Sequence, residues 1–235
     1  MVESINELRK ICQCGRVVKG RSEQHWINLF YRRFSIYFTW FFLHTSLTAN
    51  QITMLNFLLA LIGGSLVALG NYWFGLVAIL ILYLINVLDH VDGEVSRYKK
   101  TFGMKGNVLD DVVDCFIHPA YFVGISISVF LVEKSLLLLS MGFVIIIFYL
   151  MNYLLMEQIS EYQKKKFHKS IKQTIRLLTH DPISFLVFLG SSKHFIDFAI
   201  LISVVFSLLS QFVLFFAFFV PLSFFLRLRV FLKSK

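Results

Sequence analysis

The sequence predicts an all-α, polytopic integral membrane protein with six transmembrane helices preceded by an N-terminal interfacial amphipathic helix. The first observation is composition, because hydrophobic residues make up 57% of the 235 residues and charged residues only 16%. Soluble globular domains carry about 45–50% apolar and about 25% charged residues. The second is a series of apolar runs of membrane-spanning length, and the third is the concentration of Lys and Arg in the segments between them.

The same composition excludes several other classes of protein. Three cysteines are too few for a disulfide scaffold, and the high apolar content excludes a disordered chain. A formal net charge of +9 would suit nucleic acid in a soluble protein, but in a membrane protein it marks the cytoplasmic face and contact with anionic lipid. We therefore expect membrane lipid as a partner, and no nucleic acid.

Apolar runs give the number of spans. A helix needs about 20 mostly apolar residues to cross the bilayer core. Four runs approach or meet this length, at residues 52–69, 72–88, 108–132 and 135–156. Residues 182–226 are nearly all apolar and are expected to form a last pair of spans, with a broken helix or a bent lead-in at the polar residues 190–194. The expected count is six.

Basic residues set the orientation of these spans. All of the 23 Lys and Arg residues except Lys134 and Lys193 lie in four clusters, at residues 9–33, 97–105, 164–176 and 227–235. Because Lys and Arg concentrate in cytoplasmic segments, we expect all four clusters and both termini in the cytoplasm. Residues 1–24 contain no apolar run, so no cleavable signal peptide is expected.

Residues 26–43 are aromatic-rich but include Arg32 and Arg33. A crossing here would break the even count, so we expect a helix that lies in the membrane interface, a seventh span being the alternative. Its interfacial side chains are expected to be Trp26, Tyr31, Tyr37 and Trp40. The chain thus divides into a cytoplasmic N-terminus with this helix, residues 1–49, and a six-helix membrane domain, residues 50–235.

Carboxylates are concentrated where a membrane protein rarely has them. Six of the 14 acidic residues lie between positions 89 and 114, and ionisable groups near a membrane core are functional candidates. Asp89 and Asp92 are spaced i, i+3, and Asp110 and Asp114 are spaced i, i+4, so each pair shares one helix face. Converging carboxylates repel unless cations lie between them, so we expect two Mg²⁺ or Mn²⁺ ions at a cytoplasmic site.

Two glycines and an arginine accompany the carboxylates. Gly93 and Gly106 are expected to leave room for a nucleotide, because a side chain at either position would block its approach. Arg97 lies one helical turn beyond Gly93 and can pair with a phosphate through two hydrogen bonds. This combination favours phosphoryl transfer, which depends on positioning and charge neutralisation.

The residues follow the pattern Asp89-x2-Asp92-Gly93-x2-Ser96-Arg97-x8-Gly106-x3-Asp110-x3-Asp114. This pattern resembles, at every spacing, the signature of the CDP-alcohol phosphotransferase (CDP-alcohol phosphatidyltransferase) family, with Ser96 where the family usually has Ala. Residues 47–53 also resemble the family's stretch before the first span, with Ala49 in place of a usual Pro. Six spans after an interfacial helix match the family layout.

The resemblance implies an enzyme of phospholipid biosynthesis that cleaves the phosphoanhydride of a CDP-linked donor, releases CMP and joins the phosphoryl-bearing group to an alcohol. It implies that the four Asp residues of the pattern hold two divalent cations and that Asp114 is also the catalytic base. The implied contacts of the CDP group are Gly93, Ser96, Arg97, Gly106, Asn50 and Thr53. A homodimer is implied by the resemblance alone.

The substrates are less strongly indicated than the reaction. We expect CDP-diacylglycerol as the donor, with other CDP-alcohols as alternatives. Basic residues after the fourth span, among them Arg176, and at the end of the last span, among them Arg227, favour a phosphorylated polyol as the acceptor. The alternative is that these residues only satisfy the positive-inside rule, in which case the acceptor is uncharged.

Other interpretations of the carboxylates remain open. They could form a cation or proton pathway in a transporter, which release of CMP would distinguish from a transferase. A catalytically inactive family member acting as a scaffold would lack a carboxylate of the pattern, and none is missing. Asp111 points about 100° away from Asp110 around a helix and is expected to be solvated or outside the metal site, with His90 and Glu94 as similar bystanders.

His118 follows Asp114 by one helical turn and precedes Pro119. A contact with the acceptor is one interpretation of this position. We expect instead a buried, hydrogen-bonded histidine beside a helix kink.

Overall fold

The computed structural model describes residues 3–13, 26–101, 103–166, 190 and 192–233, which form helices and no strand. The chain begins with a short helix, α1, and a single π-helical turn, Arg9–Gln13. The helices are α1 (Ile5–Leu8), α2 (Trp26–Leu43), α3 (Ala49–Ala68), α4 (Tyr72–Lys99), α5 (Met104–Glu133), α6 (Leu136–Lys166), α7 (Lys193–Val205) and α8 (Leu209–Lys233).

Several helices are long and apolar enough to cross a membrane, which supports an integral membrane protein. Within the described residues there are five of them, at Ala49–Ala68, Tyr72–Lys99, Met104–Glu133, Leu136–Ile159 and Leu209–Arg229. The first four correspond to the first four predicted spans. Helix α7 has 13 residues, about 20 Å of helix against a core of about 30 Å, so the sixth span stays a prediction.

Helices α4 and α5 extend past their apolar runs and carry the carboxylates. Arg97 lies on α4, which continues to Lys99. The connection is short: Lys100 adopts a left-handed φ of 52°, and the Thr101 amide donates to the Ser96 carbonyl at 3.0 Å. Since α5 already begins at Met104, both carboxylate pairs lie on regular helix and keep the spacing that the sequence predicts.

The chain forms two compact units. The first comprises Met1–Ile62 and Leu80–Ile117, and the second comprises Gly63–Ile79 and His118–Lys235. In the first unit, buried side chains of the N-terminal segment pack with those of α2, α3 and α4; the cluster includes Leu8, Cys12, Ile36, Phe42, Ile52, Leu88, Val91 and Val95. This core holds the C-terminal part of α4 against the N-terminal segment.

Helix α2 has the predicted bounds but an unusual distribution of side chains. Tyr37 and Trp40 are exposed with Phe34 and Phe41, whereas Tyr31, expected among the interfacial side chains, is buried. The protein-facing side includes Ser35 and Thr39, both fully buried. Most of these aromatic side chains of α2 are thus exposed, whereas its small polar side chains Ser35 and Thr39 are buried.

In the second unit, α3 and α5 approach each other backbone to backbone. A Cβ atom at Gly124 would lie 2.1 Å from the carbonyl oxygen of Gly64, and one at Gly64 would lie 2.4 Å from that of Ala120. One turn away, the Tyr121 hydroxyl donates to the Ala78 carbonyl at 2.7 Å. Any side chain beyond hydrogen at Gly64 or Gly124 would separate the helices.

Candidate active site

One cavity of about 540 Å³ in the first unit is lined by every specified residue of the sequence pattern. We call it the signature cavity. The residues predicted for metal, catalysis and the CDP group line it together: Asn50, Thr53, Asp89, Asp92, Gly93, Ser96, Arg97, Gly106, Asp110 and Asp114. They come from α3, α4 and α5, so residues far apart in sequence meet at one site.

Asp92 is the most buried of the four aspartates, with 6% of its surface exposed. Its Oδ2 accepts a hydrogen bond of 2.8 Å from the Thr53 hydroxyl, and Asp89 and Asp110 line the same cavity. Thr53 also lines the signature cavity. Its hydroxyl, predicted as a nucleotide contact, orients a carboxylate in this structure.

The donor set of the signature cavity suits hard divalent cations. Its lining carries five carboxylates but two guanidinium groups, an excess of negative charge that cations would offset. Within the described part of the chain, no three His, Cys, Asp or Glu side chains form a metal-binding group by themselves. Mg²⁺ is commonly held by one or two carboxylates together with water, so Asp89, Asp92, Asp110 and Asp114 offer the ligand type that such an ion takes.

Arg97 is held in place by the N-terminal segment. Its Nε donates a 2.7 Å hydrogen bond to the carbonyl oxygen of Cys12. A Cβ atom at Gly93 would lie 3.2 Å from Arg97 Nη1 and 3.6 Å from Nη2. The glycine expected to make room for a nucleotide therefore also makes room for the guanidinium group of this arginine.

Gly106 and Asn50 lie next to each other in the lining of the signature cavity. A Cβ atom at Gly106 would lie 3.2 Å from Asn50 Oδ1, so the glycine allows the first turn of α5 to approach this amide. Both residues line the cavity. The pairing explains why Asn50, which precedes the pattern by 39 positions, belongs to the same site.

Glu94, which the sequence interpretation left as a bystander that is either solvated or outside the metal site, is not solvated. Only 1% of its surface is exposed, and its carboxylate accepts three hydrogen bonds. Gln13 Nε2 and Ser35 Oγ donate to Oε1 at 2.8 and 2.7 Å, and Thr39 Oγ1 donates to Oε2 at 2.6 Å. The sequence signal that was missed is the i, i+4 spacing of Ser35 and Thr39 on an otherwise aromatic helix. Asp111, by contrast, is exposed as expected.

The two residues predicted to bind the acceptor are not among the described residues that line the signature cavity. Arg176 lies outside the described residues, and Arg227 is half buried on α8 in the second unit. His118, also in the second unit, is 1% exposed. Its ring contacts Asp197 Oδ1 at 2.9 Å and the Tyr149 hydroxyl at 3.0 Å, which confirms the prediction of a buried, hydrogen-bonded histidine.

Of the comparisons with known proteins, the one with family models gives a match that includes the site. No curated protein shows a significant match to the chain. The model of the family described as CDP-alcohol phosphatidyltransferase matches residues 46–222, which include every residue of the sequence pattern and α3 to α7 entirely. Because this match covers well over half of the 235 residues, the protein belongs to the CDP-alcohol phosphatidyltransferase family.

Proposed function

We propose that the protein transfers a phosphatidyl group from CDP-diacylglycerol to the hydroxyl group of an alcohol and releases CMP. The observation that carries this proposal is the signature cavity, because the ten residues predicted for metal, catalysis and the CDP group all line it. Family membership supports the reaction class. A transferase of this class needs a nucleotide site, bound cations and a base within reach of one another.

The proposed reaction is one displacement at phosphorus. The hydroxyl oxygen of the acceptor attacks the second phosphorus of the donor, the bond from that phosphorus to the bridging oxygen breaks, and the bridging oxygen leaves with CMP. Asp114 takes the proton of the attacking hydroxyl. Divalent cations held by Asp89, Asp92, Asp110 and Asp114 would supply charge neutralisation for the diphosphate.

Arg97 has the position and the chemistry to bind a donor phosphate. Its Nε donates to the Cys12 carbonyl, and its two terminal nitrogens lie beside Gly93. A guanidinium group fixed through Nε loses less rotational freedom when it binds. Gly93, Ser96, Gly106, Asn50 and Thr53 complete the wall against which the CDP group would lie.

We further propose that six helices cross the membrane, with both termini and the signature cavity on the cytoplasmic side. Residues 167–189 and 191, on which the sixth span depends, lie outside the described residues. Helix α2 would lie in the interface, where its exposed aromatic side chains suit the headgroup region. Cysteine labelling from either side of sealed vesicles tests this topology.

A homodimer is expected as well. Light scattering in detergent measures the mass of the protein particle and so tests this expectation.

The acceptor is proposed to be a phosphorylated polyol bound in part by Arg176 and Arg227. Arg176→Ala and Arg227→Ala should then raise the KM of the acceptor and leave that of CDP-diacylglycerol unchanged, since an arginine lost from a phosphate site weakens only the ligand it binds. If acceptor kinetics are untouched in both variants, the basic residues serve topology and the acceptor is uncharged.

The experiment that tests the function is release of CMP by the purified protein from a panel of CDP-linked donors, with and without divalent cations. The proposal expects cation-dependent release from CDP-diacylglycerol in the presence of an alcohol. If protein with all four aspartates intact releases no CMP from any donor and alcohol, the proposal fails. Ion flux through the same carboxylates, measured in vesicles, is then the competing explanation.

A further inference from the structure

An arginine outside the sequence pattern also lines the signature cavity. Arg32, on α2, is half buried and is one of two arginines among the lining residues that the structure describes; the other is Arg97. Its neighbour Arg33 is exposed and does not line the cavity. Helix α2 thus contributes one basic residue to the site and turns the next one away from it.

A network of hydrogen bonds fixes the backbone of Arg32 to the helix that carries the signature. The Arg32 carbonyl oxygen accepts hydrogen bonds from Gln13 Nε2 at 2.9 Å and from Ser35 Oγ at 3.3 Å. Gln13 Nε2, which carries two protons, also donates to Glu94 Oε1 at 2.8 Å. The single proton of the Ser35 hydroxyl favours Glu94 Oε1, at 2.7 Å, over the longer contact with Arg32. Glu94 lies on α4, two residues after Asp92. The Gln13 side chain thus ties the backbone of Arg32 to Glu94 on α4.

We propose that Arg32 binds the second phosphate of the CDP-linked donor, the phosphate that is transferred. This inference rests on the proposed function. The lining of the cavity carries more carboxylates than guanidinium groups, so each arginine there matters for an anionic ligand. Arg32 is on the helix whose Phe34, Tyr37 and Phe41 are exposed, a surface suited to lipid. In a lipid-linked donor the second phosphate is the one joined to the lipid.

A comparison of CDP with CMP isolates this phosphate, because CMP lacks it. Binding of each nucleotide is measured by calorimetry at saturating Mg²⁺, in the wild type and in Arg32→Ala, Arg32→Lys and Arg33→Ala. Loss of a charge-assisted contact should weaken binding of CDP by Arg32→Ala roughly tenfold or more. CMP binding should be unchanged, Arg32→Lys should lose less, and Arg33→Ala should bind both nucleotides as the wild type does.

Kinetics with CDP-diacylglycerol give a second measurement. Arg32→Ala should raise the KM of this donor and leave the KM of the acceptor alone. Equal weakening of CDP and CMP, no weakening of either, or a change confined to the acceptor would each overturn the assignment. If Arg32→Ala does not fold in detergent, the CDP-to-CMP affinity ratio of Arg32→Lys and Arg32→Gln decides the question in the same way.

The outcome separates this inference from the proposed function. A wild type that releases CMP while Arg32→Ala has the same donor KM and CDP affinity refutes the role of Arg32 alone. A wild type that releases no CMP refutes the proposed function, and the selective loss of CDP affinity in Arg32→Ala would still support a phosphate contact at Arg32.

Discussion

The Thr53 hydroxyl donates a 2.8 Å hydrogen bond to Oδ2 of Asp92, which is 6% exposed. A buried carboxylate that must stay ionised to bind a cation depends on such a donor. Thr53→Val keeps the shape of the side chain but removes the hydroxyl. We expect it to raise the Mg²⁺ concentration needed for half-maximal release of CMP, on the order of tenfold, because ligand-orienting residues carry effects of that size. Thr53→Ser retains the donor and should behave nearly as the wild type does; equal behaviour of the two variants would contradict the role of the hydroxyl.

Neutralising the carboxylates tests their roles one by one. Asp89→Asn, Asp92→Asn, Asp110→Asn and Asp114→Asn should each lower turnover by roughly 100-fold or more, since loss of a metal ligand or a general base has effects of that order. Asp114→Asn should retain affinity for the CDP-linked donor better than it retains turnover. The matched control is Asp111→Asn, because Asp111 is exposed, adjacent to Asp110 and not part of the cavity lining. A loss in the control equal to the others would indicate a general effect of charge.

Two of the glycines that line the cavity, Gly93 and Gly103, should differ in their tolerance of a methyl group. Gly93→Ala places a Cβ atom 3.2 Å from Arg97 Nη1, so the guanidinium group must shift and the KM of the donor should rise. Gly103 also lines the cavity, but a Cβ atom there would meet nothing within 4 Å. Gly103→Ala should therefore leave donor KM and turnover unchanged. The expected result is a clear separation of the two variants in steady-state kinetics.

Glu94 should be a stability determinant of the first unit. Glu94→Leu leaves the hydroxyl groups of Ser35 and Thr39, both fully buried, without their acceptor, and each such group costs about 1–3 kcal/mol. Thermal unfolding in detergent should show a clearly lower midpoint, whereas Glu157→Leu, at an exposed position, should not. Replacing the donors as well, in Glu94→Leu combined with Ser35→Ala and Thr39→Val, should recover part of the loss. A triple variant less stable than Glu94→Leu would contradict this account.

Much of the site could be predicted from the sequence because the pattern lies on two regular helices. Helical spacing fixes which of Asp89, Asp92, Asp110 and Asp114 share a face, and a connection of four residues from Lys100 to Gly103 leaves the two faces close together. The first four spans follow from apolar length alone. These features depend on local sequence, which a single chain displays in full.

The contribution of the N-terminal segment could not be predicted in this way. Helix α1 has four residues, too few to show a periodicity, and Leu8 and Cys12 enter the core from a segment without an apolar run. Glu94 was interpreted as a bystander, either solvated or outside the metal site, and the sequence did not indicate its buried hydrogen bonds. Its partners lie 55 to 81 positions away in sequence, and spacing along one chain does not indicate contacts of that range.

The three donors to Glu94 lie at positions 13, 35 and 39, whereas the family match begins at residue 46. A buried carboxylate within the region that matches the family therefore takes its donors from residues outside that region. A chain shortened to start at residue 50 would leave Glu94 without these donors. A chimera that takes its N-terminus from a relative would do the same wherever the incoming helix lacks polar side chains at the positions of Ser35 and Thr39. Exchange of N-terminal regions among family members should succeed only when the residue at position 94 is exchanged together with the polar pair at positions 35 and 39.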